Sequence, residues 1–165
     1  MRKVIATINM TLDGVFDNTA GLADEEIHQH YTELLAYGDA ILYGRTTYQL
    51  MEYWRTFLEN SSEEKSMNDF AIAIDRIPKI VFSHTLKNID WNSAILANRD
   101  LEETVIELKQ QSGKDIFIGS RSLIIQLMKL NLIDELQLCI YPVIAGNGLQ
   151  LFEDIIDRTL LKFTN

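Results

Sequence analysis

The stretch from Asp115 to Tyr141 leaves this chain few folds to choose from. Asp115–Ile118 is short, apolar and β-branched, as a strand covered on both faces would be, and it stops at Gly119. Helical periodicity follows at once. Leu123, Leu127 and Leu130 recur at i, i+4 and i+7, with Ile124 and Met128 widening the stripe; Ser120 is placed to cap the start and Asn131 to close the end. From Asp134 the period changes to two, with Leu136, Leu138 and Ile140 set against Glu135, Gln137 and Cys139 until Pro142 ends regular pairing. Strand, helix and strand form one unit. A glycine at the carboxyl end of a buried strand, with a helix after it, sets free N–H groups and a positive dipole end over the sheet crevice, where a phosphate can sit. The same glycine serves equally if the chain needs only a sharp turn and Ser120 is an ordinary cap.

The rest of the chain repeats the pattern. Lys3–Asn9 is rich in Val, Ile and Thr and suits a central first strand, and Met10–Leu22 carries turn chemistry over a length that marks either a functional loop or a mobile connection. Asp24 caps a helix with Ile27, Tyr31, Leu34 and Leu35 on one stripe, ending near Gly38. The strand Asp39–Tyr43 then runs into Gly44-Arg45-Thr46-Thr47-Tyr48, a second strand–glycine–helix junction. Here an Arg and two Thr hydroxyls stand where a phosphate would sit, although either Thr could simply cap and Arg45 could pair with a carboxylate. Glu63–Ile77 reads as a helix stopped by Pro78, and Lys79–Phe82 as a third buried strand ending in Ser83-His84-Thr85. Ser93–Ala97 is a weak strand and Leu101–Gln111 a helix with Gly113 as its stop. Strands and helices alternate throughout, which argues for an α/β fold, a mainly parallel central sheet with helices on both faces.

At 165 residues, one domain spanning 1–165 is the natural count. A net charge of -9 with no cluster of Lys and Arg makes nucleic acid and anionic membrane poor partners, so any phosphate must be gripped locally. Cys139, the one cysteine, excludes an intramolecular disulfide and a cysteine metal cluster, and no other metal-ligand spacing is present. The apolar start Met1–Ile8 is cut short by Asn9, Thr11 and Asp13, too early for a signal peptide, and no run is long enough to span a membrane. A cytoplasmic protein is expected.

Taken in order, Thr11-Leu12-Asp13-Gly14, Gly44-Arg45-x-Thr47-Tyr48, Val81-Phe82-Ser83, Gly119-Ser120 with Leu123, and Ile133-Asp134-Glu135-Leu136 leading to Pro142-Val143 and Gly146-x-Gly148 form a set. The set resembles the dihydrofolate-reductase-like reductases, and within them the RibD C-terminal domain, the reductase part of the riboflavin-biosynthesis deaminase-reductase. The resemblance covers most of the chain. It implies a three-layer dihydrofolate-reductase-like fold and NADPH across the carboxyl ends of the strands. On that basis Gly44, Arg45 and Thr46 would meet one phosphate region, Ser83, His84 and Thr85 the adenosine ribose phosphate, and Gly119 and Ser120 the pyrophosphate, with Leu123 beside them and Arg121 either gripping or obstructing. The Met10–Leu22 loop would act as a lid.

No nucleophile–base pair is evident, which leaves proton delivery to water or to Glu25 and His28. The substrate implied is a small nitrogen heterocycle, pterin-like or an aminopyrimidine. One alternative is the phosphoribosylamino-uracil reduced in riboflavin biosynthesis; another is a binding or dimerisation protein that has lost catalysis. The family commonly adds a further strand after Leu151-Phe152, so the C-terminal edge of the sheet is expected to be short and a homodimer to form there.

Overall fold

The computed structural model describes residues 1–19, 21 and 23–164. Its elements are β1 (Val4–Thr11), α1 (Glu25–Leu35), β2 (Gly38–Gly44), α2 (Arg45–Met51), a 3-10 turn (Glu52–Arg55), α3 (Thr56–Glu59), α4 (Lys65–Arg76), β3 (Lys79–Phe82), β4 (Ala94–Leu96), α5 (Leu101–Gln110), β5 (Asp115–Ile118), α6 (Arg121–Lys129) and β6 (Glu135–Tyr141). The strands form one sheet in the order β4-β3-β2-β5-β1-β6. Every pairing among them is parallel, and among the described residues the one antiparallel contact is an isolated bridge between Val15 and Gln150. A parallel sheet has both faces covered, which is why β2 and β5 read as nearly continuous apolar runs.

Two cores result, one on each face. Even-numbered β1 residues Val4, Ala6 and Ile8 pack with Leu42, Ile116 and Ile118 under α5 and α6, through Leu101, Val105, Leu123, Ile124 and Leu127. On the opposite face Ile5, Ile41, Tyr43 and Phe117 pack under α1, α2 and α4, through Leu35, Tyr48, Phe70 and Ile74. Burying each of the larger side chains contributes roughly 2 kcal/mol.

The helix ends follow local chemistry. Asp24 caps α1 as its sequence position suggests, its carboxylate accepting the Ile27 N–H at 3.1 Å. At the far end of α6, Asn131 takes a left-handed φ of 54°. The Leu132 N–H then reaches the Leu127 carbonyl and the Asn131 N–H that of Met128, a Schellman closure.

The loop after β1 divides in two. Its first half is laced to the segment after β6: Leu12 N–H donates to Val143, Phe16 N–H to Leu149, and Leu151 N–H to Gly14. Asp13 completes the clasp, accepting the Thr11 hydroxyl at 2.6 Å and the N–H groups of Ala145 and Gly146 at 3.0 and 2.8 Å. Those bonds hold its carboxyl down at about 2. A lid running through all of Met10–Leu22 is therefore ruled out for its first half. Ala20 and Leu22 lie outside the described residues.

Candidate functional site

The direction of the chain after each strand locates the crevice. After β2 it enters α2 on one face, and after the neighbouring β5 it enters α6 on the other. Adjacent strands whose helices depart to opposite faces open a cleft at their carboxyl ends, the usual ligand position in such sheets. Gly44 and Gly119 flank this cleft.

Ser120 joins the two junctions. It is buried and does not cap α6; its hydroxyl accepts the Gly44 N–H at 2.8 Å. Capping was the sequence expectation, and β2–β5 pairing overrides it by bringing a buried N–H within reach. The first N–H groups of α6 are left without a side-chain cap. Neither Thr46 nor Thr47 caps α2.

Arg45 is exposed and pairs with no carboxylate among the described residues; its guanidinium donates to the Thr85 hydroxyl at 2.8 Å. The Ser83 hydroxyl accepts the Thr85 and Leu86 N–H groups at 3.1 and 2.9 Å, which folds the turn after β3 toward Arg45. His84 in that turn is exposed. Arg45, Ser83 and Thr85 are thus brought together. Arg121 is drawn away from the cleft, donating to the Gln150 carbonyl at 2.7 Å and pairing with Asp154 at 3.0 Å. Leu123 is buried in the core.

Glu25 and His28 are not brought together. Glu25 is exposed on the first turn of α1. His28 is turned into the helix layer between Trp54 and Phe70, ring centroids 5.3 and 6.2 Å away, and its buried Nδ1 has no partner among the described residues. Burial pushes its pKa below the ordinary histidine value, against the opposing charges of Glu64 and Asp24. Burial thus disfavours its charged form.

A polar side-chain cluster that the sequence reading missed lies where β1 meets β6. The odd-numbered face of β1 carries Thr7, Asn9 and Thr11, and the matching face of β6 carries Gln137, Cys139 and Tyr141. The Asn9 side chain accepts a hydrogen bond from the Tyr31 hydroxyl of α1 and donates one to the Tyr141 hydroxyl at 2.9 Å. Burial raises Tyr31 to about 12, an effect the nearby Thr7 hydroxyl partly offsets. Burial likewise raises Tyr141 and Cys139, with Asp24 adding to both. Gly21 rests on the Tyr141 ring so closely that a Cβ there would collide with it. A signal was present in the sequence: Thr7, Asn9 and Thr11 put polar groups on one face of a strand whose other face is apolar.

The class is defined by a parallel sheet whose neighbouring strands β2 and β5 send their helices to opposite faces, leaving a crevice at the carboxyl ends of the strands. The RibD C-terminal domain family matches residues 2–165, and this chain belongs to it. It is 35% identical over 168 residues to the uncharacterized protein YyaP of Bacillus subtilis (strain 168), covering 99% of this chain and 87% of that one. Among solved structures, a pyrimidine reductase-like protein from Corynebacterium diphtheriae matches with a TM-score of 0.60 and 17% identity, over 97% of this chain and 83% of that one. The diaminohydroxyphosphoribosylaminopyrimidine deaminase/5-amino-6-(5-phosphoribosylamino)uracil reductase of Thermotoga maritima matches with a TM-score of 0.61 and 14% identity, over 95% of this chain and 49% of that one. These likenesses confirm the expected fold. No helix among the described residues is long and apolar enough to cross a membrane.

Proposed function

We propose that this protein is an NADPH-dependent reductase of a small nitrogen heterocycle of the riboflavin or folate kind. One observation carries the cofactor: Arg45, paired with no carboxylate among the described residues, is steered by Thr85 and Ser83 to the edge of the switch-point cleft. A guanidinium beside two hydroxyls suits a phosphate monoester, and the uncapped start of α6 suits a pyrophosphate. The donors present therefore fit NADPH. When bound, the cofactor supplies the hydride; the chain's own part is to bind it, orient it and shield the reacting face. Family membership supports a reductase of riboflavin-pathway type, and the name of the Thermotoga maritima relative points to the same chemistry. With Glu25 exposed and His28 buried, the accompanying proton comes from water.

A thermal melt with NADPH, and with NADH as control, tests this without a choice of substrate. Ligand at about 100 times its dissociation constant adds roughly 2.7 kcal/mol, a rise of about 5 to 10 °C for a chain of this size. Arg45→Ala should weaken NADPH much more than NADH. Absence of a rise with either nucleotide would refute the proposal, and equal losses on Arg45→Ala would refute the role of Arg45.

A further inference from the structure

We infer that the chain carries a second ligand site, at the amino end of β2, which takes a medium-chain fatty carboxylate: the aliphatic tail lies in a cavity between α1 and α4 and the carboxylate meets Arg76. The site stands independently of the reductase reading. The cavity has a volume of about 580 Å³, within the range of small-molecule sites. It lies at the opposite end of β2 from Gly44, and the 7 residues of that strand put roughly 20 Å between it and the switch-point cleft.

The sequence leaves this space unfilled. α1 ends at Leu35 and α4 at Arg76, and the last turns of both helices meet over the start of β2. Leu35, Ile72, Ile77 and Pro78 form the walls, but the residues between them are Ala36, Gly38 and Ala73, too small to close the gap. Gly38 has no larger substitute, because a Cβ there would collide with the Phe117 ring beneath. Ile72, at the rim, is 41% exposed, so the cavity opens to solvent. No aromatic ring lines it. A flat heterocycle would find nothing to stack on, whereas a flexible saturated chain matches walls that are aliphatic throughout.

The polar groups of the lining decide the head group. The Thr32 hydroxyl is spent on the His28 carbonyl at 2.7 Å. Asp39 pairs with Arg2 and accepts the Lys114 N–H at 3.0 Å, and Asp69 pairs with Lys65. Two helix carboxyl ends would by themselves favour a cation, but both are already met. The Lys114 ammonium donates to the Ala36 carbonyl at 2.9 Å, and Lys79 donates to those of Asp75 and Ile77 at 3.4 and 3.0 Å. Arg76 differs from all of these. It is exposed at the edge of the cavity and makes neither an ion pair nor a hydrogen bond among the described residues. A carboxylate is the group that a guanidinium fork engages in two parallel hydrogen bonds. Held at the mouth, it keeps water on its outer side while the tail is buried, so no charge is stranded.

The test is calorimetric titration of octanoate and decanoate, below their micelle concentrations, into the full chain, with decanol and decylamine as controls. Decanoate should saturate and bind about tenfold more tightly than octanoate, since each further buried methylene contributes about threefold to fourfold. Arg76→Gln, a change at an exposed position, should weaken decanoate roughly fivefold and leave decanol unchanged. Ala73→Leu, which fills the cavity, should abolish binding of both. Ile72→Asp sets a like charge at the exposed rim without disturbing the core, and should weaken decanoate even if Ala73→Leu fails to fold. Protein saturated with NADPH should bind decanoate as before. Absence of saturable decanoate binding, indifference to Arg76→Gln, tighter binding of decylamine than of decanoate, or displacement of decanoate by NADPH overturns the inference.

Discussion

Replacing Ser120 by Ala separates two roles that a serine after a strand-end glycine can play. In the structure its hydroxyl accepts the Gly44 N–H at 2.8 Å, and both residues are buried. The variant removes the acceptor and leaves a buried backbone donor unpaired, which costs about 1 to 3 kcal/mol. For a chain of 165 residues, 2 kcal/mol lowers the melting temperature by about 4 to 8 °C. Loss of an ordinary helix cap would cost a similar amount, so the melt alone does not decide. Amide hydrogen exchange does. Protection should fall at Gly44 and hold at Leu123, the amide an N-cap hydroxyl would serve. Ser120→Thr, which keeps the oxygen, should restore Gly44. Loss of protection at Leu123 with Gly44 unchanged would refute the β2–β5 tie. Because the tie closes the cleft floor, Ser120→Ala should also weaken NADPH.

Other groups give predictions that pH titration resolves. Asp13 is held at about 2 by the Thr11, Ala145 and Gly146 bonds, so its contribution is present above the unfolded carboxylate value near 4 and lost as pH falls toward 2. Asp13→Asn should flatten acid-induced loss of stability in urea melts; parallel wild-type and variant curves would refute the clasp. Lys79 is 1% exposed, donates to Ile77 and Ser93 at 3.0 and 2.7 Å, and lies 4.1 Å from the Trp91 ring. Burial nevertheless lowers it from 10.5 to about 8. The folded state is penalised while the ammonium is charged, and that penalty of roughly 3 kcal/mol lifts as pH rises from about 8 to 10.5. Wild type should therefore gain on Lys79→Met across pH 8 to 10 in urea melts, and a constant difference would refute this. His28, lowered by burial, should cost stability as pH falls through about 6.5. His28→Phe should remove that slope, and an unchanged slope would count against the buried neutral ring.

The sheet and its crevice were legible because both rest on local signals. Asp115–Ile118, Gly119 and the Leu123–Leu127 stripe identify a strand, a turn and a helix from residues within a few positions of one another. Two such junctions, at Gly44 and Gly119, sufficed to place a cleft. Side-chain partnerships were harder to read, since they depend on which strands become neighbours. Ser120 sits 76 residues from Gly44 in sequence, and only β2–β5 pairing gives its hydroxyl a donor better than its own helix. Arg121 was ambiguous for the same reason: Asp154 and the Gln150 carbonyl reach it only after the segment following β6 folds back on the loop after β1. The proton-delivery residues were sought on α1 by position. His28 faces α4, whereas Tyr31, three residues on, faces β1.

The order of the sheet turns these separate features into one axis. β3, β2, β5, β1 and β6 stand side by side, and four steps of about 4.8 Å put the Arg45–Thr85 corner roughly 19 Å from Tyr141 along the carboxyl ends. The two ends differ in charge. At the β3 end a guanidinium and hydroxyls face solvent with no carboxylate paired to them among the described residues; at the β6 end Thr7, Asn9, Gln137 and Tyr141 are neutral. A ligand carrying phosphates on one side and a neutral ring on the other is favoured in a single orientation, phosphates toward β3. Inverting it would set a phosphate among neutral side chains and leave Arg45 unmatched.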